Sequence, residues 1–222
     1  MTNSLRLWLA AATFLLAGCA ATPTREPSGQ IEAPVADAAE TGPDFAAMRI
    51  TVAGTGDIML GTNFPENHLP DDDGVGFLAA VAPALSGADI AFGNLEGVLM
   101  DGGEPAKKCN DPKACYMFRS PTRYAEHLRA AGFDVISLAN NHARDFGEEG
   151  RDSSMAALDA VGIRHSGREG EIASWQQNDL RIAMIAFSPT VGSWPLLSID
   201  VATDAVSALA ENHDIIIVSF HG

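Results

Sequence analysis

The apolar positions of this chain fall into two alternating patterns. Short, nearly continuous apolar runs are separated by longer stretches in which apolar residues recur at helical spacing. Arg49 to Ala53 reads as a first strand, closed by Gly54-Thr55-Gly56-Asp57. A loop over 62–73 ends in Asp71-Asp72-Asp73 and leads to a helix over Val75 to Leu85, with Phe77, Leu78, Val81 and Leu85 on one side. Ala88 to Phe92 is the next strand. A short strand is expected at Tyr116 to Phe118, and a helix from Pro121 to Ala131, with Pro in its first turn and Gly132 as its stop. The run around Val135, Ile136, Leu138 and Ala139 suits a strand covered on both faces. A helix from about Glu148 to Val161 follows, then strands at Ile163 to His165 and Leu180 to Phe187. A helix over Val201 to Glu211 precedes a buried strand, Asp214 to Phe220. Strands alternating with helices predict an α/β fold with a largely parallel sheet.

Four of these strands end in polar side chains. They deliver Asp57, Asn94 with Glu96, Asn140-Asn141-His142 with Asp145, and His221. In a parallel α/β sheet the strand C-termini lie along one edge, where ligands bind, so residues far apart in sequence can converge there. Carboxylates, an amide oxygen and imidazoles form a mixed hard and borderline donor set that suits Mn, Fe or Zn at a hydrolytic site. Each piece also has a structural reading. Asn140 can cap the following helix, Asn94 can cap another, Glu96 can be a surface residue, and His221 can be a satisfied histidine.

Charge and composition narrow the function. The 222 residues are 46% hydrophobic and 19% charged, an ordinary globular composition, with a formal net charge of -15. That balance argues against nucleic acid as the partner. An anionic ligand then needs a metal or a local basic patch. Lys107, Lys108, Lys113, Arg119, Arg123 and Arg129 fall in one stretch and can form a basic lip for a phosphate or polycarboxylate, or can be ordinary solvated charges.

The N-terminus reads as an export signal. Arg6 precedes the apolar run Leu7 to Leu16, too short to span a bilayer. Leu16-Ala17-Gly18-Cys19 resembles the lipobox of bacterial lipoproteins, in which cleavage leaves a lipidated Cys19; an ordinary cleaved signal is the alternative. By the same resemblance, Ala20 after the Cys implies the periplasmic face of the outer membrane in a Gram-negative host. The expected organisation is a signal peptide over 1–19, a flexible Ala/Pro/Thr-rich tether over 20–47 and a folded domain over 48–222. In an oxidising compartment Cys109 and Cys115 are expected to pair locally, with a zinc site or two free thiols as alternatives.

Gly56-Asp57-Ile58-Met59-Leu60-Gly61, Gly93-Asn94-Leu95-Glu96, Ala139-Asn140-Asn141-His142-Ala143-Arg144-Asp145-Phe146-Gly147 and Phe220-His221-Gly222 together resemble the CapA family of capsule, or poly-γ-glutamate, synthesis proteins. The resemblance runs from about Met48 to Gly222. It implies layered sheets flanked by helices, of calcineurin-like metallophosphoesterase type. It also implies roles: Asp57, Glu96, Asn141 and His221 as metal ligands, with Asn94 and Asn140 supporting them. His142 would be the general acid or an anion binder, and Asp145 would orient it. The Asp-x-His pair of ordinary calcineurin-like phosphatases is absent from the first motif, so the expected centre holds one or two ions.

The resulting expectation is an exported, lipid-anchored envelope protein acting on a poly-γ-glutamate-like polymer or a phosphoester, through a metal-dependent hydrolase or transferase site. The resemblance also implies a membrane synthase as partner. The alternatives are a non-catalytic scaffold that retains the polymer and a structural lipoprotein without metal. A buried strand that delivers His221 and then stops leads to the further expectation that the chain is the N-terminal part of a longer protein, its domain incomplete at the C-terminus.

Overall fold

The computed structural model describes residues 48–108, 111 and 115–222. The expected signal peptide, the lipidation site Cys19 and the tether, together with Cys109 and Lys113, lie outside the described residues. The elements run β1 (Val52–Ile58), α1 (Ala82–Ser86), β2 (Ile90–Leu95), β3 (Val98–Leu99), β4 (Arg119–Ser120), α2 (Ala125–Ala131), β5 (Val135–Ser137) and α3 (Gly147–Ala160). They continue as β6 (Arg164–Ser166), β7 (Ala173–Gln177), β8 (Leu180–Ser188), β9 (Trp194–Pro195), α4 (Ile199–Ala210) and β10 (Ile215–Phe220).

Two sheets stack between helices, the layered α/β architecture expected from the sequence. The first has the order β1-β2-β5-β6 and is wholly parallel. The second has the order β10-β8-β7, with β9 also beside β8; β8 runs parallel to β10 and β9 and antiparallel to β7. Strands buried on both faces explain the continuous apolar runs. In β8, Ile182, Met184 and Ala186 face Ile90 of β2 and Val135 of β5 in the core between the sheets. Ala183, Ile185 and Phe187 alternate to the other face, under Leu209 of α4. The outer face of the first sheet buries Ala91 and Ile136 against Leu85 of α1, Leu128 of α2 and Leu158 of α3.

Several local expectations shift. The helical spacing over 75–85 yields an α-helix only at Ala82–Ser86. Before it the chain runs in turns, because Asp72 takes the amides of Gly74 and Gly76 at 3.1 and 3.0 Å. Short i to i+3 bonds such as Phe77 to Gly74 then replace the α-helical ladder. The strand expected at Tyr116 to Phe118 forms one step later, as β4, since the Phe118 amide is taken by Asp145 Oδ2. β7 is a strand that the apolar pattern does not predict. Its turn, Asn178-Asp179, has positive φ at both residues (50° and 65°), a hairpin signal that the polar pair carries in the sequence.

Arg181 and Asp214 pin the start of β8 to the start of β10. Arg181 donates from its backbone N, Nε and Nη2 to the Asp214 carboxylate at 2.8, 3.1 and 2.8 Å. These bonds pull the Asp214 carboxyl down to about 2. A depressed carboxyl stabilises the fold above its ordinary value and loses that contribution as pH falls through the folded value. Asp214→Asn is therefore expected to lower Tm at neutral pH. The gap from the parent should close as pH falls from about 4 towards the folded value. A gap that does not change with pH would mean that the carboxylate charge contributes nothing.

Candidate functional site

The C-terminal ends of β1, β2, β5 and β10 meet at one edge of the sheets, and each brings the side chain the sequence marks. In β1 the register steps from Gly54 opposite Phe92 to Asp57 opposite Asn94, so β1 gains one residue on β2. This bulge re-aims the strand end and sets Asp57 beside Asn94. Asn94 Nδ2 donates to Asp57 Oδ1 at 2.7 Å and lies 3.3 Å from His221 Nδ1. His221 Nε2 stands 2.9 Å from Asn141 Oδ1. The tautomer with hydrogen on Nε2 satisfies both contacts, donating to Asn141 and accepting from Asn94. His221 Nδ1 also lies 3.2 Å from Asp57 Oδ1.

Asn140 is the buried support beneath these residues. Its amide donates to Asn94 Oδ1 at 3.0 Å and to Leu95 O at 2.8 Å, while its oxygen accepts the backbone N–H of His142 at 2.9 Å. Its side chain thus ties β2 to the turn after β5, and the same Oδ1 that caps that turn fixes where His142 begins.

His142 and Asp145 form a second, drier cluster. Asp145 is fully buried. Its Oδ2 accepts from His142 Nδ1 at 2.7 Å and from the Phe118 amide at 2.8 Å. Its Oδ1 has the Lys107 ammonium at 2.9 Å, an ion pair rather than an aligned hydrogen bond. The ring of Phe118 covers His142, with centroids 4.4 Å apart. With Nδ1–H committed to Asp145, His142 Nε2 is left facing the first cluster, 3.8 Å from Glu96 Oε1.

Burial pushes the Asp57 carboxyl up, but the Asn94 amide hydrogen bond, joined by His221 when its ring is protonated, outweighs it and holds the group below the ordinary carboxylate range. Glu96 is different. Its Oε1 looks at His142 Nε2 across 3.8 Å and at His221 Nε2 across 4.0 Å, too far for a hydrogen bond to either. Among the described residues no three of His, Cys, Asp and Glu form a ready metal-ligand group. The donor set nevertheless fits a divalent ion chemically once the Asn141 amide oxygen is included. Two carboxylates, an amide oxygen and an imidazole converge there, with Glu96 Oε1 4.0 Å from His221 Nε2 and 3.8 Å from His142 Nε2. Asp57, Glu96, Asn141 and His221 are the residues that would hold it.

Among the described residues, the sequence-marked cations have different partners. Lys107 lies inside the His142–Asp145 cluster. Arg119 donates to Asn63 Oδ1 at 2.7 Å and to the carbonyls of Gly102 and Gly103, with its guanidinium over Phe64 and Phe146. Arg123 pairs with Asp73, and Arg129 lies 4.0 Å from Asp134. Lys108 is exposed. Cys115 is disulfide-bonded; Cys109, its expected partner, is outside the described residues.

Sequence reasoning missed a second group at the rim. Glu148, at the start of α3, binds Arg144, Arg151 and Arg168. Arg144 and Arg151 in turn donate to the carbonyls of Val191 and Gly192, both at 2.7 Å, and so fasten the loop after β8. Arg144 and Arg151 are Glu148's i,i+4 and i,i+3 neighbours, whereas Arg168 is brought in from 20 residues further on.

The description "bacterial capsule synthesis protein PGA_cap" matches residues 51–222. The chain belongs to this family. An uncharacterized protein y4sH of Sinorhizobium fredii (strain NBRC 101917 / NGR234) is 31% identical over 121 residues, covering 53% of this chain and 24% of that protein. The capsule biosynthesis protein CapA of Bacillus anthracis is 29% identical over 148 residues, covering 63% of this chain and 35% of that protein. The chain thus spans roughly a quarter to a third of the length of these curated relatives. A solved Staphylococcus aureus structure, provisionally assigned as a 5'-nucleotidase and in complex with alpha-ketoglutarate, aligns at a TM-score of 0.48 with 14% identity. The alignment covers 78% of this chain and 37% of that one. Family membership agrees with the four motifs, all of which lie within the matched residues.

Proposed function

We propose that this PGA_cap chain carries the site of an exported, lipid-anchored envelope protein. It acts on a poly-γ-glutamate-like capsule polymer, or a phosphoester tied to it, as a metal-dependent hydrolase or transferase. The observation that carries this reading is the convergence of Asp57, Glu96, Asn141 and His221 from four strand ends, beside a histidine held through Nδ1. A bound divalent cation supplies charge neutralisation at a phosphoryl or carbonyl oxygen. The chain's own residues do the rest. Asp145 holds Nδ1–H of His142, so Nε2 is the atom that holds or gives the proton at the leaving group. Asn94 and Asn140 keep Asp57 and the 140–142 turn in register. Phe118 shields the pair from water.

The metal content of the protein from Ala20 onward, expressed from the complete gene, tests the reading. The expected result is near-stoichiometric Mn, Fe or Zn that disappears in the Asp57→Ala/Asn141→Ala double variant. A folded parent that never takes up metal would overturn it. One observation supports the alternative of a non-catalytic scaffold: both ring nitrogens of His221 are already engaged by Asn94 and Asn141. His142→Ala separates the two readings. Loss of turnover with polymer binding retained supports the enzyme, whereas polymer retention with no turnover in the parent supports the scaffold.

A further inference from the structure

Lys107 belongs to the charged stretch before the cysteine loop, yet its ammonium is turned inward. It lies 2.9 Å from Asp145 Oδ1, 3.2 Å from Tyr116 O, 3.3 Å from His142 Nδ1 and 3.4 Å from Asn141 O. An ammonium has three hydrogens. His142 Nδ1 cannot both donate to Asp145 and accept from Lys107, and the 2.7 Å contact assigns its hydrogen to Asp145. The ammonium donates to the carbonyls of Tyr116 and Asn141 and stands against Asp145 Oδ1 as its ion-pair partner.

The surroundings give this arrangement a purpose. The Asp145 carboxylate is fully buried, and a buried charge persists only when it is paired. Its other partners are the His142 ring and the Phe118 amide; Lys107 is the cation. The backbone carbonyl of Asp145 also accepts the amides of Ala106 and Lys107, at 2.9 and 3.0 Å. One residue therefore fastens both stems of the cysteine loop: the stem carrying Lys107, and the stem carrying Phe118, which covers His142.

We propose that Lys107 is the positioning residue of the His142–Asp145 pair: it anchors the buried carboxylate that orients the imidazole and holds Nε2 towards Glu96. The proposal rests on the functional reading above, but its test needs neither metal nor turnover. In metal-free protein from the whole gene, labelled with nitrogen-15 at histidine, the Nδ1–H of His142 is expected as a downfield, slowly exchanging resonance, identified by its loss in His142→Ala. Lys107→Met should abolish it or make it exchange rapidly, and Lys107→Arg should restore it in part. An unchanged resonance in Lys107→Met would overturn the proposal.

If Lys107→Met does not fold, the Asp145→Asn background gives a second route, because a neutral amide no longer needs the cation. There, Lys107→Met should leave fold and ring signal as they are in Asp145→Asn alone. An added loss as large as in the parent would show that Lys107 acts independently of Asp145 and would overturn the proposal. With a turned-over substrate in hand, Lys107→Met should lower kcat and leave KM and its salt dependence unchanged. A raised KM with weakened salt dependence would instead make Lys107 a substrate-binding cation. Absence of metal or turnover in the parent would defeat the functional reading and leave the resonance result standing.

Discussion

Replacing Asn140 by Asp is expected to destabilise the protein by about 3–5 kcal/mol at neutral pH, although the two side chains have the same shape. Asn140 is fully buried, and its amide hydrogens go to Asn94 Oδ1 and Leu95 O. A carboxylate there has no hydrogens to give and would face two acceptor oxygens. Asn94 could flip to offer its amide to the new carboxylate, but that amide already serves Asp57. The flip would turn the Asn94 oxygen towards Asp57. The damage would then pass to the candidate ligand itself, and metal retention should fall with stability. The pH dependence fixes the cause. Burial raises the folded pKa of the introduced acid above its unfolded value of about 3.9, so the penalty is small below that value. It grows by about 1.4 kcal/mol per pH unit as pH rises towards the folded pKa. A protonated Asp can still donate once, so the residual cost at low pH is about 1 kcal/mol, that of one hydrogen bond. Urea unfolding of parent and variant near pH 4 and pH 7 checks this. An equal penalty at both would mean that shape, not charge, is the cause.

The sequence announces the parts of this architecture that are governed by burial. The run in β8 reads as a strand covered on both faces, and its two faces do lie under β2 and β5 on one side and α4 on the other. Strand ends carrying Asp57, Asn94, the 140–142 triplet and His221 were legible as a set because parallel strands put their C-termini on one edge, where these side chains now touch. What stayed hidden is competition for single backbone groups. Helical spacing at Val75 to Leu85 was real, but the Asp72 carboxylate captures two amides and keeps that segment in turns. The direction of Lys107 was illegible for a similar reason. A lysine among lysines reads as surface, and only the burial of Asp145, contributed from beyond the cysteine loop, draws it inward. Around Glu148, Arg144 and Arg151 carry a local i,i+4 and i,i+3 signal, and only Arg168 and the loop carbonyls that the arginines hold are gathered by the tertiary fold.

Gly167, which no motif marks, is expected to be among the least replaceable residues near the site. It follows β6, has φ of +151°, and turns its Cα face onto the Leu138–Ala139 peptide that leads into Asn140. A Cβ there would lie 2.5 Å from Leu138 C and 2.5 Å from Ala139 N. Those are backbone atoms of the strand exit between two buried side chains, and Leu138 N is held to Ser166 O at 2.8 Å, so neither side can yield cheaply. Strain at the unfavourable φ and forced displacement of packed backbone together predict a loss of about 3–5 kcal/mol for Gly167→Ala. For a domain of this size that corresponds to a fall in Tm of roughly 10 °C. Gly162 separates the two causes. It too has positive φ, +73°, but nothing lies within 4 Å of its added Cβ. Gly162→Ala should therefore cost only the conformational part, about 1 kcal/mol. If the two variants prove equally destabilised, the contact with β5 is not what makes Gly167 necessary. If Gly167→Ala is much the worse, and its folded fraction also loses metal while Gly162→Ala keeps it, then the geometry of Asn141 and His142 is set from beneath by the close approach of β6 to the end of β5.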